Sequence, residues 1–124
     1  MDILDSLAPQ ASEDTIQRIK MLFSECLWHE LTDSLLELFE VPAVRSNPAI
    51  IQLYREFICP FSASMSQIKF VKLAIIASGV CPSPTESKLF LEEIALHLID
   101  NEAKMITDIA IAATQLKLGE INEA

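Results

Sequence analysis

The sequence predicts an all-α protein built from stacked antiparallel helical hairpins. Three helix starts, at Ser12, Pro48 and Pro84, are spaced 36 residues apart, and each opens a run with helical periodicity. Leu, Ile and Ala are abundant, whereas the chain of 124 residues has only 2 Gly, which favours helix over sheet. A repeat of this size is typical of a right-handed solenoid arm of the TPR or HEAT kind. We therefore expect about six main helices and a short N-terminal one.

The first hairpin is predicted from residues 12–25 and 27–40. Ser12 is a good N-cap, and the two acids that follow it favour the positive end of a helix. The second helix is amphipathic, with leucines on one face and acids on the opposite face: Leu27, Leu31, Leu35, Leu38; Glu30, Asp33, Glu37, Glu40. Pro42 ends it, because proline disfavours helical geometry in the preceding residue. Residues 1–11 are expected to form a short helix or a flexible lead.

The second hairpin is predicted from residues 48–59 and 66–78. Asn47 caps its first helix, Pro48 occupies the first helical position, and Pro60 closes the segment. The helix at 66–78 is apolar over more than half of its circumference. A helix of this kind is packed on two sides, as an inner helix of a stack would be.

The third hairpin is predicted from residues 84–99 and 102–117. Ser83, Pro84 and Glu86 form the pattern of a capping box, with Ser at the cap and Glu at the third helical position. Gly119 lies where a left-handed C-terminal cap is expected. A fourth unit would begin near Glu120, so residues 12–124 are interpreted as one helical-repeat domain that stops part-way through a longer array.

Composition excludes several classes of function. The formal net charge of −9 would repel a phosphate backbone, so no nucleic-acid partner is expected. The most apolar window spans about ten residues and contains Lys72, which is too short for a membrane span, and no membrane partner is expected. The three cysteines are widely spaced and odd in number, which favours a reducing cytosolic or nuclear environment over a disulfide framework.

The sequence contains no pattern that predicts catalysis, a metal or a cofactor. The nearest candidate is Cys26 with His29, a spacing that would allow a thiol–imidazole pair in a small hydrolase. No orienting group or glycine-rich oxyanion loop accompanies that pair, so the favoured interpretation is a buried cysteine beside a surface histidine. Slow thiol labelling at Cys26 would contradict the hydrolase alternative.

Two features of the second helix are candidates for partner binding. The acids Glu30, Asp33, Glu37 and Glu40 share one face, and no Lys or Arg lies between Lys20 and Arg45. This acidic stripe is interpreted either as a solvated face or as a docking surface for a basic partner. Trp28 lies on the flank of the apolar face, where inter-repeat packing is favoured over a role as an exposed binding anchor.

Three segments resemble the PCI-domain lid subunits of the 26S proteasome regulatory particle. They run from Cys26 to Thr32 (CLWHELT), from Ile51 to Ile58 (IQLYREFI) and from Leu116 to Glu120 (LKLGE), in the same order and at compatible distances. The resemblance implies a non-catalytic arm of helical repeats that precedes a PCI domain, in which a helical bundle leads into a winged helix.

The same resemblance implies a role and a set of partners. Membership of this family would make the chain a scaffold whose expected partners are other lid subunits, with the ubiquitin receptor as a possible neighbour. The expected localisation is cytoplasmic and nuclear. The arm would support assembly of the regulatory particle for ubiquitin-dependent protein degradation. Two alternatives stay open at this point: an arm of another PCI complex, such as the signalosome or a translation initiation factor, and a peptide-binding helical adaptor.

Overall fold

The computed structural model describes the backbone of residues 2–7 and 11–123 and the side chains of residues 4–7 and 11–116. Helices and short connections account for nearly all of these residues, and no strand occurs among them, so the prediction of an all-α helical-repeat arm is confirmed. The α-helices are α1 (Asp2–Leu7), α2 (Glu13–Ser24), α3 (Trp28–Glu40), α4 (Pro42–Arg45), α5 (Ala49–Leu53), α6 (Gln67–Ser78), α7 (Pro84–Ala95) and α8 (Asn101–Glu123).

The second helices of the three hairpins form a row at the centre of the stack. Helix α3 packs against α6, and α6 packs against both α7 and α8. The predicted two-sided packing of α6 is therefore confirmed, and five of its apolar side chains are completely buried: Phe70, Val71, Leu73, Ala74 and Ala77. Because α6 contacts the hairpins on both sides, it links their contributions to the core.

The first half of the second hairpin is less regular than predicted. The expected continuous helix at 48–59 is instead α5, followed by a π-helical turn (Tyr54–Ile58) and a 3₁₀ segment (Cys59–Ser64). Pro60 explains the change, because it has no backbone N–H to continue the α-helical hydrogen bonding. The Cys59 N–H closes the π turn on the Tyr54 carbonyl, while the Tyr54 hydroxyl donates to the Phe70 carbonyl at 2.9 Å.

Three further boundaries differ from the prediction. Pro42 ends α3 as expected but also begins the short helix α4, which places Val44 in the core. Helix α7 ends at Ala95, earlier than the expected end near Ile99. Helix α8 runs through Gly119 to Glu123, and no glycine among the described residues has a positive φ, so the predicted left-handed cap is wrong. A single glycine inside a helix costs only about 1 kcal/mol, which its neighbours can offset.

The α2–α3 corner contains an unusual backbone conformation at Cys26. Its φ is 56°, the only positive value among the described non-glycine residues. The N–H of Cys26 donates to the Phe23 carbonyl, and the N–H of Leu27 donates to the Leu22 carbonyl. These two hydrogen bonds form a Schellman motif, in which the position that Cys26 occupies normally belongs to glycine. Cys26 therefore has a backbone conformation that is unfavourable for a residue with a Cβ atom.

Replacing Cys26 by glycine is expected to stabilise the protein. Glycine adopts the left-handed conformation without a Cβ clash, and this gain exceeds its larger entropy loss on folding. We expect the free energy of unfolding, measured by urea titration, to rise by about 0.5–1 kcal/mol. The matched control is Cys26→Ala, which keeps the Cβ and should give no gain. Equal stability of the glycine and alanine variants would contradict this explanation.

Candidate protein-interaction site

The acidic stripe lies along the outward side of α3, and three of its four carboxylates are free. Glu30, Glu37 and Glu40 are exposed, and no ion pair involves them in the part of the chain that the structure describes. The opposite side of α3 holds Leu31, Leu35 and Leu38, which are almost completely buried and fix the orientation of the helix. The stripe is therefore presented on a rigid element of the stack.

Asp33 differs from the other three members of the stripe. Its carboxylate accepts a hydrogen bond from the Lys69 ammonium of α6 at 2.5 Å. That hydrogen bond, together with the positive charge of Lys69, lowers the pKa of the Asp33 carboxyl below its ordinary value. The sequence shows no Lys or Arg close to Asp33, but Lys69, which compensates its charge, lies one repeat of 36 residues further along the chain. Asp33 joins two hairpins and is less available to a partner.

The structure corrects the interpretation of Cys26. The cysteine was expected to be buried beside a surface histidine, but both Cys26 and His29 are exposed. The left-handed backbone at the corner directs the thiol away from the core. No hydrogen bond between the two side chains is found among the described residues. The described geometry thus lacks the hydrogen bond between thiol and imidazole that would activate Cys26 as a nucleophile.

The other two thiols are less accessible and harder to ionise. Burial raises the pKa of the Cys59 thiol to about 11, with a smaller contribution from the charge of Glu93. Burial also raises the pKa of the Cys81 thiol. Since the thiolate is the reactive form of cysteine, both groups are poor nucleophiles at neutral pH.

Alkylation of the folded protein should therefore discriminate among the cysteines. At pH 7.5 we expect iodoacetamide to modify the exposed Cys26 before Cys59, as followed by peptide mass spectrometry. Between pH 7 and 9 the rate at Cys59 should rise about tenfold per pH unit, because its thiolate fraction does so well below the pKa. Equal rates at Cys26 and Cys59 at pH 7.5 would contradict the burial of Cys59, and urea should abolish the difference.

Trp28 packs where the first two hairpins meet, as the sequence indicated. Its ring stacks on Phe61 with a centroid separation of 4.3 Å and an interplanar angle of 23°. Both side chains are only half-buried. Trp28 therefore contributes to the junction between hairpins and still keeps a part of its surface in contact with solvent.

Grouped metal ligands and a membrane-spanning helix are both absent from the described part of the chain. Among the described side chains, those of residues 4–7 and 11–116, no three of His, Cys, Asp or Glu are grouped closely enough to hold a metal ion. None of the helices within residues 2–7 and 11–123 combines the length and the apolar character needed to cross a bilayer. The features that stand out are the acidic stripe, the α2–α3 corner and the outer side of α8.

The comparison with protein families decides the assignment. The family model described as PSD13 N-terminal repeats matches residues 15–124, which is most of the chain. The chain belongs to the family of PSD13 N-terminal repeats. The resemblance to a lid subunit of the proteasome regulatory particle, drawn from three short segments, is thereby confirmed.

Two curated relatives agree with this assignment. The chain is 28% identical over 120 residues to a protein of Schizosaccharomyces pombe named as a probable 26S proteasome regulatory subunit rpn9. It is 26% identical over 103 residues to 26S proteasome non-ATPase regulatory subunit 13 homolog B of Arabidopsis thaliana. These alignments cover 94% and 82% of the chain but only 31% and 27% of the two relatives. The chain thus spans less than a third of the length of the curated relatives it matches.

Proposed function

We propose that this chain is a non-catalytic scaffold and protein-interaction arm of a proteasome lid subunit. The arm would support assembly of the regulatory particle for ubiquitin-dependent protein degradation, in the cytoplasm and the nucleus. The observation that carries the proposal is the set of three unpaired carboxylates on one rigid helix, Glu30, Glu37 and Glu40. Similarity to proteins named as 26S proteasome regulatory subunits supports the choice of assembly.

The proposed partners are other lid subunits, including the neighbouring ubiquitin receptor. A stripe of like charges destabilises an isolated helix slightly, by a few tenths of a kcal/mol for each pair spaced by one turn. A basic surface on a neighbouring subunit would relieve that repulsion and would be guided to the stripe by long-range attraction. We therefore place the contact of the arm with a basic partner surface on the outward side of α3.

We also propose that residues 12–124 form one repeat domain that precedes a PCI domain in the complete subunit. The outer side of α8 supports continuation of the stack, because its large apolar side chains Met105, Ile109 and Leu116 are exposed. In α6, by contrast, both sides of the helix are covered by neighbouring hairpins. A further hairpin packed on α8 in the same repeat geometry would cover these three side chains.

The proposed docking stripe is tested by reversing two of its free charges. The variant Glu30→Lys with Glu37→Lys leaves the Asp33–Lys69 pair intact, which a reversal at Asp33 would break. Binding of the chain to purified lid subunits, measured by biolayer interferometry, should weaken by about tenfold or more. The melting temperature should change little, because both glutamates are exposed.

A matched control for charge is available on α8. Glu102→Lys with Asp108→Lys reverses two exposed acids of another helix, and Glu102, like Glu30, lies in the first turn. The control should bind like the unmodified chain. An equal loss of binding in both variants would show that the net charge of the chain, and not the position of the stripe, controls binding. Unchanged binding of the stripe variant would overturn the proposed docking surface.

A further inference from the structure

The aromatic side chains of the protein fall into two groups of four. Phe39, Tyr54, Phe70 and Phe90 are at most 1% exposed and belong to the core. The other four are all half-buried and contact one another in a cluster that we call the aromatic corner: Phe23, Trp28, Phe57 and Phe61. Phe23 lies 6.3 Å from both Phe57 and Phe61, measured between ring centroids. The four rings therefore touch one another in a chain, and each keeps part of its surface exposed.

The backbone is irregular at or close to three of the four rings. Cys26, in its left-handed conformation, directly precedes Leu27 and Trp28. Phe57 lies in the π-helical turn, and Phe61 lies in the 3₁₀ segment with a non-helical φ of −108° and ψ of 17°. Strained residues and π turns persist where the surrounding structure requires them, and they cluster at functional sites. Two such features, the left-handed Cys26 and the π turn, lie beside these rings, which pack against the core on their inner side and are partly exposed on the other.

We propose that the aromatic corner binds a protein segment in which an apolar side chain is flanked by lysine or arginine. Leu27 directly precedes Trp28 and is exposed over 39% of its area. Partly exposed Trp is among the side chains that most often dominate the binding energy at interfaces, and an apolar neighbour adds contact area for a partner.

Charge decides the chemistry of the flanking residues in the partner. Glu25 and Glu56 are exposed and adjoin the corner in sequence, next to Cys26 and Phe57 respectively. Neither glutamate takes part in an ion pair with a described basic side chain, and the chain as a whole carries a net charge of −9. A basic flank on the partner would be complementary to this rim, whereas an acidic flank would be repelled.

The aromatic corner is separate from the acidic stripe. At 100° per residue, Trp28 and Glu37 point to opposite sides of α3. A partner bound at the corner therefore does not occupy the stripe, and the inference holds independently of the docking surface proposed above.

The test uses the single tryptophan of the chain as its own reporter. The probe is a synthetic amphipathic helical peptide of leucine and lysine, and the control probe has glutamate in place of every lysine. At physiological ionic strength, we expect the lysine peptide to shift the Trp28 emission saturably to shorter wavelength, and the glutamate peptide to cause no saturable shift.

Variants then locate the binding surface. Leu27→Ser with Phe61→Leu should weaken binding of the lysine peptide by about tenfold. Serine is a good N-cap and suits position 27, where α3 begins, and leucine retains apolar volume at position 61, so the fold should persist. The matched control Ile109→Ser removes an exposed apolar side chain from α8 and should leave the affinity unchanged.

Several results would overturn the assignment of the aromatic corner. They are the absence of a saturable Trp28 shift with the lysine peptide, equal binding of the glutamate peptide, and unchanged affinity of the Leu27→Ser, Phe61→Leu variant. If Glu30→Lys with Glu37→Lys weakened binding of the lysine peptide while Leu27→Ser with Phe61→Leu did not, the peptide would bind the acidic stripe. The assignment of the aromatic corner as a binding site would then be wrong, while the proposed docking stripe would stand.

Discussion

Replacing Phe70 by alanine should lower the free energy of unfolding by about 3–5 kcal/mol, the largest effect that we expect from a single change. Phe70 is completely buried in α6, the helix that contacts the hairpins on both sides. The centroid of its ring lies 5.2 Å from that of Tyr54, and its backbone carbonyl accepts a hydrogen bond from the Tyr54 hydroxyl. Truncation therefore leaves a cavity at the centre of the stack, and urea titration followed by circular dichroism measures the cost.

Phe57→Ala is the matched control for Phe70→Ala, because Phe57 is only half-buried and lies in the aromatic corner. A side chain that already touches solvent loses less transfer free energy and leaves a smaller cavity. We expect less than half of the loss seen at Phe70. Equal losses at the two positions would contradict the central place of α6 in the core.

The second large effect should separate two residues that lie one repeat apart. Leu73 of α6 is completely buried, whereas Ile109 of α8, which lies 36 residues later, is 64% exposed. Leu73→Ala is therefore expected to cost about 2–5 kcal/mol, while Ile109→Ala should stay within about 0.5 kcal/mol. Both free energies of unfolding come from the same urea titration.

The pair Leu73 and Ile109 also tests the interpretation of α8. Both positions carry a branched aliphatic side chain in a second helix of a hairpin, so helix propensity contributes little to the difference between them. A cost at Ile109 that approached the cost at Leu73 would show that something already covers the outer side of α8. Repeating the titration at two protein concentrations would reveal whether a second copy does so.

Local signals in the sequence predicted the helix starts well. The Ser12 hydroxyl accepts the Thr15 N–H at 3.1 Å, and the Ser83 hydroxyl accepts the Glu86 N–H at 3.3 Å, as the capping patterns indicated. The apolar periodicity also identified α6 as the inner helix. These features depend on residues within one turn, for the caps, or within one helix, for α6, so a single sequence contains all the information that they require.

Features that depend on distant contacts could not be predicted in the same way. At the start of the π turn, the Tyr54 hydroxyl donates a hydrogen bond to the Phe70 carbonyl, and Phe70 lies in another helix. The conformation of the exposed Cys26 was missed for a different reason: the two backbone hydrogen bonds at this corner are local but have no side-chain signature. A glycine-like conformation at a cysteine contradicts the residue preference on which sequence interpretation relies.

The candidate site was predicted in position but not in composition. The outward direction of the stripe followed from the helical period of α3, and Glu30, Glu37 and Glu40 are exposed as expected for either interpretation of the stripe. The pairing of Asp33 with Lys69 was missed, although their separation of 36 residues equals the repeat length. Scanning for opposite charges one repeat apart would have found this pair.

Hydrogen exchange of the full-length subunit, free and assembled in the regulatory particle, tests the interaction arm most directly. On assembly, we expect slower exchange of the α3 amides and of residues 24–28 at the aromatic corner. Exchange in α6 should stay unchanged, because the stack already protects its amides in the free subunit. Unaltered exchange throughout α3 and the corner in an assembled particle would contradict the account.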